Sequence, residues 1–405
     1  MNYRESLAWL YATQKFGIKL GLDNTLRLLA ALRIEKRARI IHVAGTNGKG
    51  SVCAFIDAIC RAAGFRTGLF TSPHLVSFRE RIRVDGEMIS EADVAHGVER
   101  IRDLTRDWDP HPTFFEITTA LALRHFQNTE CGVLVLETGM GGRLDATNAT
   151  DADVSVITPI DLDHQKWLGD TLAEIAAEKA GIIKQNTPVI CASQRDDAAE
   201  VIRARAAERS APLSTVTQPW TRSRISLRGA HQKCNAALAA AAARALDSRI
   251  SEAAIEYGLA SAHWGGRFQL WNERIVLDGA HNVAGARVLA RTWREEFGDA
   301  KATVLLAILR DKNARAMIET LAPIATSFVL PRVRSERAIS STELAELVRS
   351  ADPSLPCSTA GSAGEAIAAA QRQAHPVLIT GSLHFVGEAL ATLSGVPDAL
   401  EDCAQ

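Results

Sequence analysis

Residues 42–51, HVAGTNGKGS, place three glycines around one lysine and beside one serine. Glycines let backbone amides turn toward an anion, a lysine neutralises phosphate charge, and a serine hydroxyl is a ligand for Mg²⁺. The strict nucleotide-loop spacing is absent, because Val43 stands where the first glycine belongs and Gly50 separates the lysine from the serine. We nevertheless predict a phosphate site at Lys49 and Ser51. The alternative is a Gly-rich turn with a solvated lysine.

A buried-strand pattern, VLVLE, ends at Glu137 and is followed by a Gly-rich turn. A carboxylate at the carboxyl end of a parallel strand suits a magnesium ligand or an acid that positions water. The alternative is a glutamate that only stabilises a turn or a helix end. The run Gly139-Met140-Gly141 is a weak match to a dinucleotide fingerprint, because Leu144 replaces its third glycine.

The segment SVITPIDLDHQKWLG places Asp163 and His164 just past another predicted strand. A histidine at that sheet edge suits a metal ligand, whereas a lone histidine is more often structural. The next segment, TLAEIAAEKAGIIK, is typical of an amphipathic helix. By spacing alone, Glu178 and Lys179 would form solvated ion pairs on that helix.

A similar arrangement recurs in IVLDGAHN, where Asp278, His281 and Asn282 follow a strand-like run. This signal is modest, since Asp-Gly also marks a turn. Upstream, Asn235 and Arg267 are placed to reach a nucleotide in a cleft between domains. The alternative for Arg267 is that it braces the linker.

Strand-like runs alternate with helical patterns, which is the signature of parallel sheets covered by helices. Functional side chains of such sheets lie at the carboxyl ends of the strands, so these elements bring the candidate residues to one edge. A new alternation begins near Asn272 and predicts domains at 1–271 and 272–405. The predicted strands are RIIHVAG, TGLFTS, GVLVLET, DVSVITPI, PVICAS, RIVLDGAH, ATVLLAIL, SFVLP and PVLITGS. Helices are predicted directly after RIIHVAG, near 91–106, 116–128 and 171–180, and in HQKCNAALAAAAARAL.

The composition is that of an ordinary globular protein, with 405 residues, 47% hydrophobic, 23% charged and a net charge of -1. The near-neutral charge argues against nucleic acid or an acidic membrane as a partner. The amino-terminal stretch does not read as a signal peptide and no charge-free run reaches membrane-spanning length, so we expect a cytoplasmic protein. Seven scattered cysteines without C-x-x-C pairs favour buried, reduced thiols over disulfides or structural zinc.

Taken together, the segments resemble folylpolyglutamate synthases and dihydrofolate synthases of the Mur-ligase superfamily. The resemblance spans roughly residues 40–390 and implies an α/β fold. An N-terminal phosphate-loop ATPase-like domain with a mostly parallel sheet would be the ATP-binding Mur-ligase-type central domain. A smaller C-terminal Rossmann-like α/β domain would be the glutamate-ligase domain. The motifs are HVAGTNGKGS, TSPHL, FEITTALAL, ETGMGGRLDATN, DHQKWLGDTLAEIAAEKAGIIK, GAHQKCNAAL, GRFQ and DGAHN.

The resemblance implies an ATP-dependent amide ligase that works through an acyl phosphate. L-glutamate would be joined to dihydropteroate, as in dihydrofolate synthases, and to reduced folates, as in folylpolyglutamate synthases. Two alternatives remain, a Mur-type cell-wall amino-acid ligase and a non-catalytic nucleotide-binding regulator. We expect small-molecule substrates and a monomer. Family members usually carry proline where this chain has Val283 and Gly265, so we expect a looser interdomain linker.

The same resemblance assigns roles to residues of this chain. Two Mg²⁺ ions would be held by Ser51, Glu137 and His164, and Lys179 would be carbamylated, because a free ammonium beside two cations is electrostatically unfavourable. Lys49, Lys179 and His281 would act in catalysis. The ATP contacts would be Thr46, Asn47, Gly48, Lys49, Gly50, Ser51, Asn235, Arg267 and Asp278, and the contacts to pterin or glutamate would be Ser72, Thr113, Phe115, Asp145 and Ser382.

Overall fold

The protein contains two separate sheets, each built mostly from parallel strands. A computed structural model describes residues 1–17 and 21–401. The first sheet has the order β4-β3-β2-β5-β1-β6-β7-β8, in which β2–β3 and β3–β4 are antiparallel and the other pairs parallel. Its strands are β1 Arg39–Ala44, β2 Thr67–Phe70, β3 Ile82–Val84, β4 Glu87–Met88, β5 Val133–Glu137, β6 Val154–Ile157, β7 Val189–Ala192 and β8 Leu213–Val216.

Helices cover both faces of this first sheet. Strand β5 shows why: Val133 and Val135 pack into the cluster formed with α3, α9 and α10, while Leu134 and Leu136 pack toward α4 and α5 on the opposite face. A strand buried on both faces reads as a continuous apolar run, as the sequence predicts. The helices are α1 Tyr3–Ala12, α2 Asp23–Ala31, α3 Lys49–Ala62, α4 Glu91–Thr105, α5 Phe114–Asn128, α6 Gln165–Leu168, α7 Leu172–Ala180, α8 Asp196–Glu208, α9 Ala230–Leu246 and α10 Glu252–Ser261.

The second sheet has the order β13-β12-β11-β14-β10-β9, and only β9 runs antiparallel to its neighbour. Its strands are β9 Gln269–Leu270, β10 Ile275–Leu277, β11 Ala302–Leu306, β12 Ala325–Pro331, β13 Cys357–Ala360 and β14 Val377–Thr380. Its helices are α11 Val283–Phe297, α12 Ala314–Leu321, α13 Ser341–Ala351, α14 Ala363–Gln371 and α15 Leu383–Leu393.

The predicted fold class is confirmed, since two mostly parallel sheets are present and every predicted strand overlaps an observed one. The division at Asn272 stays a prediction; β9, which precedes it, pairs with β10 of the second sheet. The linker is hydrogen-bonded on both sides of Gly266, whose amide donates to Gln269 Oε1 at 2.9 Å and whose carbonyl accepts from the Gly279 amide at 2.8 Å. These bonds hold the backbone where a looser linker is expected.

Four of the six cysteines in the described part of the chain are buried and all six are free thiols, as the scattered pattern predicts; Cys403 lies outside the described residues. No helix in the described part of the chain combines the length and apolar character needed to cross a bilayer.

Candidate functional site

The predicted phosphate loop connects β1 to α3. Gly48 has a left-handed backbone with φ 89°, and a Cβ there would lie 2.8 Å from Asn235 Oδ1. A Cβ at Gly45 would lie 1.8 Å from Thr158 Oγ1, and one at Gly50 would lie 2.7 Å from Trp264 Nε1. Packing on three sides therefore requires glycine at each of the three positions.

The start of α3 supplies the amides that can bind an anion. The first helical hydrogen bond runs from the Val52 amide to the Gly48 carbonyl, so the preceding amides of the first turn have no partner within the helix. Such amides, with the positive end of the helix dipole, form an anion site. The amides of Thr46 and Asn47 instead donate to the Pro159 carbonyl at 3.0 and 3.2 Å. The loop therefore offers a phosphate the amides that follow Gly48, whereas the amides of Thr46 and Asn47 are already hydrogen-bonded. ATP contacts by Thr46 and Asn47 stay predictions.

Lys49, Glu137 and Ser72 converge beside this loop. Glu137 is buried at the end of β5, and its Oε2 accepts a hydrogen bond from the Ser72 amide at 3.1 Å. Burial raises the pKa of Glu137, and the positive charge of Lys49 opposes that rise. The Ser72 hydroxyl is buried without a hydrogen-bond partner among the described residues. A small cavity of about 40 Å³ lies here and also borders Arg267 and Leu383, so both domains line it.

Ser51 lies on the buried side of α3, where its hydroxyl accepts a hydrogen bond from Gln232 Nε2 at 3.1 Å. The Gln232 Oε1 in turn accepts from Asn235 Nδ2 at 2.9 Å. Gln232 is 1% exposed and was missed by sequence reasoning. Its position three residues before Asn235 on one helix, and hence on the same face, is the signal that would have revealed it.

Lys179 occupies the last turn of α7, a helix that begins at a capping box between Thr171 and Glu174. Its side chain is buried and its Nζ donates to the Gly45 carbonyl at 2.8 Å, directly beneath the phosphate loop. Burial, reinforced by the Lys49 charge, lowers the pKa of Lys179 to about 7. The expectation of a solvated Lys179 is therefore wrong. Its neighbour Glu178 forms an ion pair with Arg143 at 2.8 Å, but Arg143 lies outside this helix.

His164 has φ 53° and precedes α6, so the loop after β6 turns sharply at this residue. The residue as a whole is exposed. Desolvation of the imidazole by neighbouring atoms, together with the positive charges of Lys312 and Lys49, nevertheless lowers the pKa of His164 to about 4. A neutral imidazole is the form that binds a metal ion.

The adjacent Asp163 faces the second domain. Its Oδ1 accepts from Lys312 Nζ at 2.6 Å, and its Oδ2 accepts from Asn282 Nδ2 at 3.1 Å. His281 Nε2 lies 3.7 Å from Oδ2, while His281 Nδ1 bonds to the Gly279 carbonyl at 2.9 Å. Burial lowers the pKa of His281, although the negative charge of Asp163 opposes that change. Sequence reasoning missed Lys312, which lies in the loop between β11 and α12.

Several predicted substrate contacts serve local structure. Thr113 and Ser382 are the N-caps of α5 and α15, where their hydroxyls accept from the amides of Glu116 and Phe385. Phe115 packs against Phe70 with ring centroids 5.8 Å apart. Their contacts to substrate stay predictions.

Two predicted carboxylates also hold turns. Asp145 accepts from the amides of Gly139, Met140 and Thr147 and from the Thr147 hydroxyl, so both of its oxygens are occupied. Asp278 accepts from the amides of Phe268 and Ala280. Burial raises the pKa of both carboxyl groups. Each carboxylate stabilises a backbone turn. Direct contact of either carboxylate with a ligand stays a prediction.

A larger cavity of about 740 Å³ lies at the opposite edge of the first sheet, next to the residues that precede β6 and β7. Its lining cations are largely paired, since Lys36 lies 3.0 Å from Asp153 and Arg143 binds Glu178. None of the residues that converge at the phosphate loop, namely Lys49, Ser72 and Glu137, lines this larger cavity. We therefore place the functional site at the loop.

In the described part of the chain, no three His, Cys, Asp or Glu side chains come together as a self-sufficient metal site. Mg²⁺ in phosphate-processing enzymes is typically bound by one or two protein groups, with phosphates and water completing the shell. The buried Ser51 hydroxyl and the buried Glu137 carboxylate beside Lys49 fit that kind of site.

Comparison with known proteins agrees with this geometry. Residues 43–219 match the Mur ligase middle domain, and residues 266–383 match the Mur ligase glutamate ligase domain. The dihydrofolate synthase/folylpolyglutamate synthase of Bacillus subtilis (strain 168) is 36% identical, over 95% of this chain and 98% of that protein. The chain belongs to the dihydrofolate synthase/folylpolyglutamate synthase family.

Solved structures of this family share the whole fold. Escherichia coli FolC in complex with DHPP and ADP superposes with a TM-score of 0.86 at 32% identity, over 98% of both chains. The bifunctional folylpolyglutamate synthase/dihydrofolate synthase from Yersinia pestis, complexed with AMPPNP and a Mn ion, gives 0.87 at 30% identity, over 97% of this chain and 98% of that one. The resemblance drawn from the motifs is thereby confirmed, and neither a cell-wall ligase nor a regulator is supported.

Proposed function

We propose that this family member is an ATP-dependent ligase that joins L-glutamate to dihydropteroate and to reduced folates. The observation that carries the proposal is one cavity at the phosphate loop that is lined by Glu137, Arg267 and Leu383, residues from both sides of the predicted division. The positive charge of Lys49 acts on the Glu137 carboxylate at the edge of this cavity. Glutamate-ligase chemistry needs ATP, an acid and an amine at one point, and a cleft between two domains can bring them together.

The reaction has two displacements. A carboxylate oxygen of the pteroate or folate attacks the γ-phosphorus of ATP, and ADP leaves as the acyl phosphate forms. The glutamate nitrogen then attacks the acyl carbon, the C–O bond to phosphate breaks, and the nitrogen loses a proton. Both displacements bring anions together, so cationic groups such as Lys49 and Arg267 lower the barrier.

In this proposal Ser51, Glu137 and His164 would hold two divalent metal ions, which would supply further positive charge to the polyphosphate. The mixed oxygen and nitrogen donors, together with phosphates and water, suit Mg²⁺, and a Mn ion is present in the Yersinia pestis relative. Gln232 holds the Ser51 hydroxyl as an acceptor, which leaves the hydroxyl proton directed elsewhere and a lone pair free for the metal.

Lys179 is proposed to be carbamylated. Carbamate formation requires the neutral amine as the nucleophile toward CO₂, and a pKa near 7 leaves a large neutral fraction at physiological pH. The carbamate would replace a buried cation near Lys49 with an anion, which would suit a site that holds divalent cations.

The assignments of Asn235 and Asp278 to ATP, of His281 to catalysis, and of Ser72, Thr113, Phe115, Asp145 and Ser382 to folate or glutamate belong to the same proposal. The Ser72 hydroxyl is buried without a hydrogen-bond partner among the described residues, while the Ser72 amide donates to Glu137. This unpartnered hydroxyl supports a ligand contact at Ser72. The cytoplasm and the monomeric state are also part of the proposal.

The test is ADP release and product mass with ATP, Mg²⁺ and L-glutamate, with dihydropteroate and a reduced folate in separate reactions. We expect glutamate-dependent turnover with both acceptors, and a mass increase of one glutamyl unit in each product. Turnover with one acceptor alone would restrict the protein to that activity. A folded protein that binds ATP and turns over neither acceptor would refute the proposal. Reactions without glutamate are the matched control.

A further inference from the structure

Asp163 ties the two domains together through two separate elements of the second domain. Lys312, in the loop between β11 and α12, donates to Asp163 Oδ1 at 2.6 Å. Asn282, which caps α11, donates to Asp163 Oδ2 at 3.1 Å. The Lys312 and Asp163 side chains are each only 7% exposed, so this ion pair is shielded from water.

Asn282 extends the contact to the phosphate loop. Its Nδ2 also lies 3.1 Å from Asn47 Oδ1, while its own Oδ1 accepts from the Gly285 amide at 2.8 Å. The amide group is therefore fixed on one side by the start of α11 and on the other by Asn47 and Asp163. A shift of the second domain would move Asn282 away from the loop that holds the phosphate.

The contact is expected to form in an all-or-none manner. A buried charge is strongly unfavourable unless its partner is present. Lys312 also lies 3.3 Å from Asp311 in its own loop, whereas the buried Asp163 takes its lysine partner from the second domain. Separation of the domains would therefore leave Asp163 without Lys312 until water hydrates it. A second cross-domain ion pair, Arg228–Glu296 at 2.6 Å, has side-chain exposures of 47% and 29% and lies at the rim. Exposed pairs of this kind contribute little.

We propose that Lys312 and Asn282 are positioning residues that couple domain closure to the geometry of the phosphate loop. Through them, ATP is cleaved only in an enzyme closed against water, so the acyl phosphate meets glutamate before hydrolysis. An open cleft would let water attack the acyl phosphate, regenerating the acid and wasting one ATP. This inference rests on the proposed ligase function.

The experiment measures phosphate released and amide formed in the same reaction, for wild type, Lys312→Met, Lys312→Arg, Asn282→Ala and the control Arg228→Met. Wild type should release one phosphate per amide. Lys312→Met and Asn282→Ala should release several, with kcat/KM for glutamate lower by about 10-fold or more. Lys312→Arg, which keeps the charge, should restore much of the one-to-one ratio, and Arg228→Met should match wild type.

A raised KM for glutamate with one phosphate still released per amide in both Lys312→Met and Asn282→Ala would overturn the inference. So would equal uncoupling in Arg228→Met, because any loosening of the interface would then suffice. Should Lys312→Met fail to fold in circular dichroism, Asn282→Ala and Lys312→Arg carry the test. Wild type without any glutamate-dependent phosphate release would refute the proposed function instead, which keeps the two failures distinct.

Discussion

Replacing Lys179 by methionine should change how the stability of the first domain depends on pH. The amine lies beneath the phosphate loop, 2.8 Å from the Gly45 carbonyl and 4% exposed, and burial lowers its pKa from 10.5 to about 7. Methionine has a similar length and no charge to bury. The substitution therefore removes the titration while keeping most of the packing.

The sign and size follow from proton linkage. Below about pH 7 the amine is protonated in both the folded and the unfolded chain, and the buried cation destabilises the fold by its full amount. Between about pH 7 and 10.5 only the unfolded chain keeps the proton, so wild-type stability rises by about 1.4 kcal/mol per pH unit. The full difference corresponds to about 5 kcal/mol. Loss of the hydrogen bond to the Gly45 carbonyl adds a contribution that does not depend on pH.

Urea unfolding followed by tryptophan fluorescence, in CO₂-free buffer without Mg²⁺ or nucleotide, measures this dependence. The stability advantage of Lys179→Met over wild type should shrink by about 1.4 kcal/mol for each pH unit between 7.5 and 9.5. Lys166→Met is the matched control, because it replaces a lysine at an exposed position on the neighbouring α6. A Lys179→Met difference that stays constant across this range would refute the buried-amine argument, and with it the physical basis for the carbamate.

Four further predictions concern the reaction and its support. Lys49→Ala should lose at least about 100-fold in kcat with an unchanged melting temperature, and wild-type turnover would eliminate the phosphate-loop interpretation. Lys179→Ala should be strongly impaired and partly rescued by acetate, whereas full activity without rescue would exclude the carbamate. Glu137→Gln should lower kcat by about 100-fold and raise the Mg²⁺ concentration needed, as a metal titration would reveal. Gln232→Leu should cost about 1–2 kcal/mol in urea unfolding because the buried Ser51 and Asn235 lose a partner, and an unchanged midpoint would contradict this.

The parts of the fold that depend on apolar periodicity could be predicted from the sequence. The strands of the parallel sheets read as continuous hydrophobic runs because helices cover both faces, as Val133 and Leu134 illustrate. The β3–β4 hairpin and β9 escaped prediction because their strands have only two or three residues and mix polar with apolar side chains. The equally short β10 was predicted because its three residues are all apolar. Strand β13, Cys357–Ala360, lies at a sheet edge and is half-exposed, so its composition carries little hydrophobic signal.

The sequence could reveal the site residues that follow strands, but it could not reveal helix caps or contacts between distant segments. Residues at strand ends, such as Glu137 and His164, could be found because topology alone brings strand ends to one edge. A family motif identified Thr113 and Ser382, but a motif does not say that both hydroxyls cap helices. Lys312 gains its role from Asp163, 149 residues earlier in the chain, and no local pattern contains that pairing.

The phosphate loop shows which of its features physics requires. Its spacing departs from the strict pattern because Gly50 separates Lys49 from Ser51. In the structure α3 already begins at Lys49, directly after the left-handed Gly48, so the free amides of the first helical turn follow the glycine. The extra residue turns Ser51 to the buried side of the helix, where Gln232 fixes its hydroxyl. The essential features are therefore a left-handed glycine, a helix start and a supported hydroxyl, and these can be met at a spacing that a pattern search rejects.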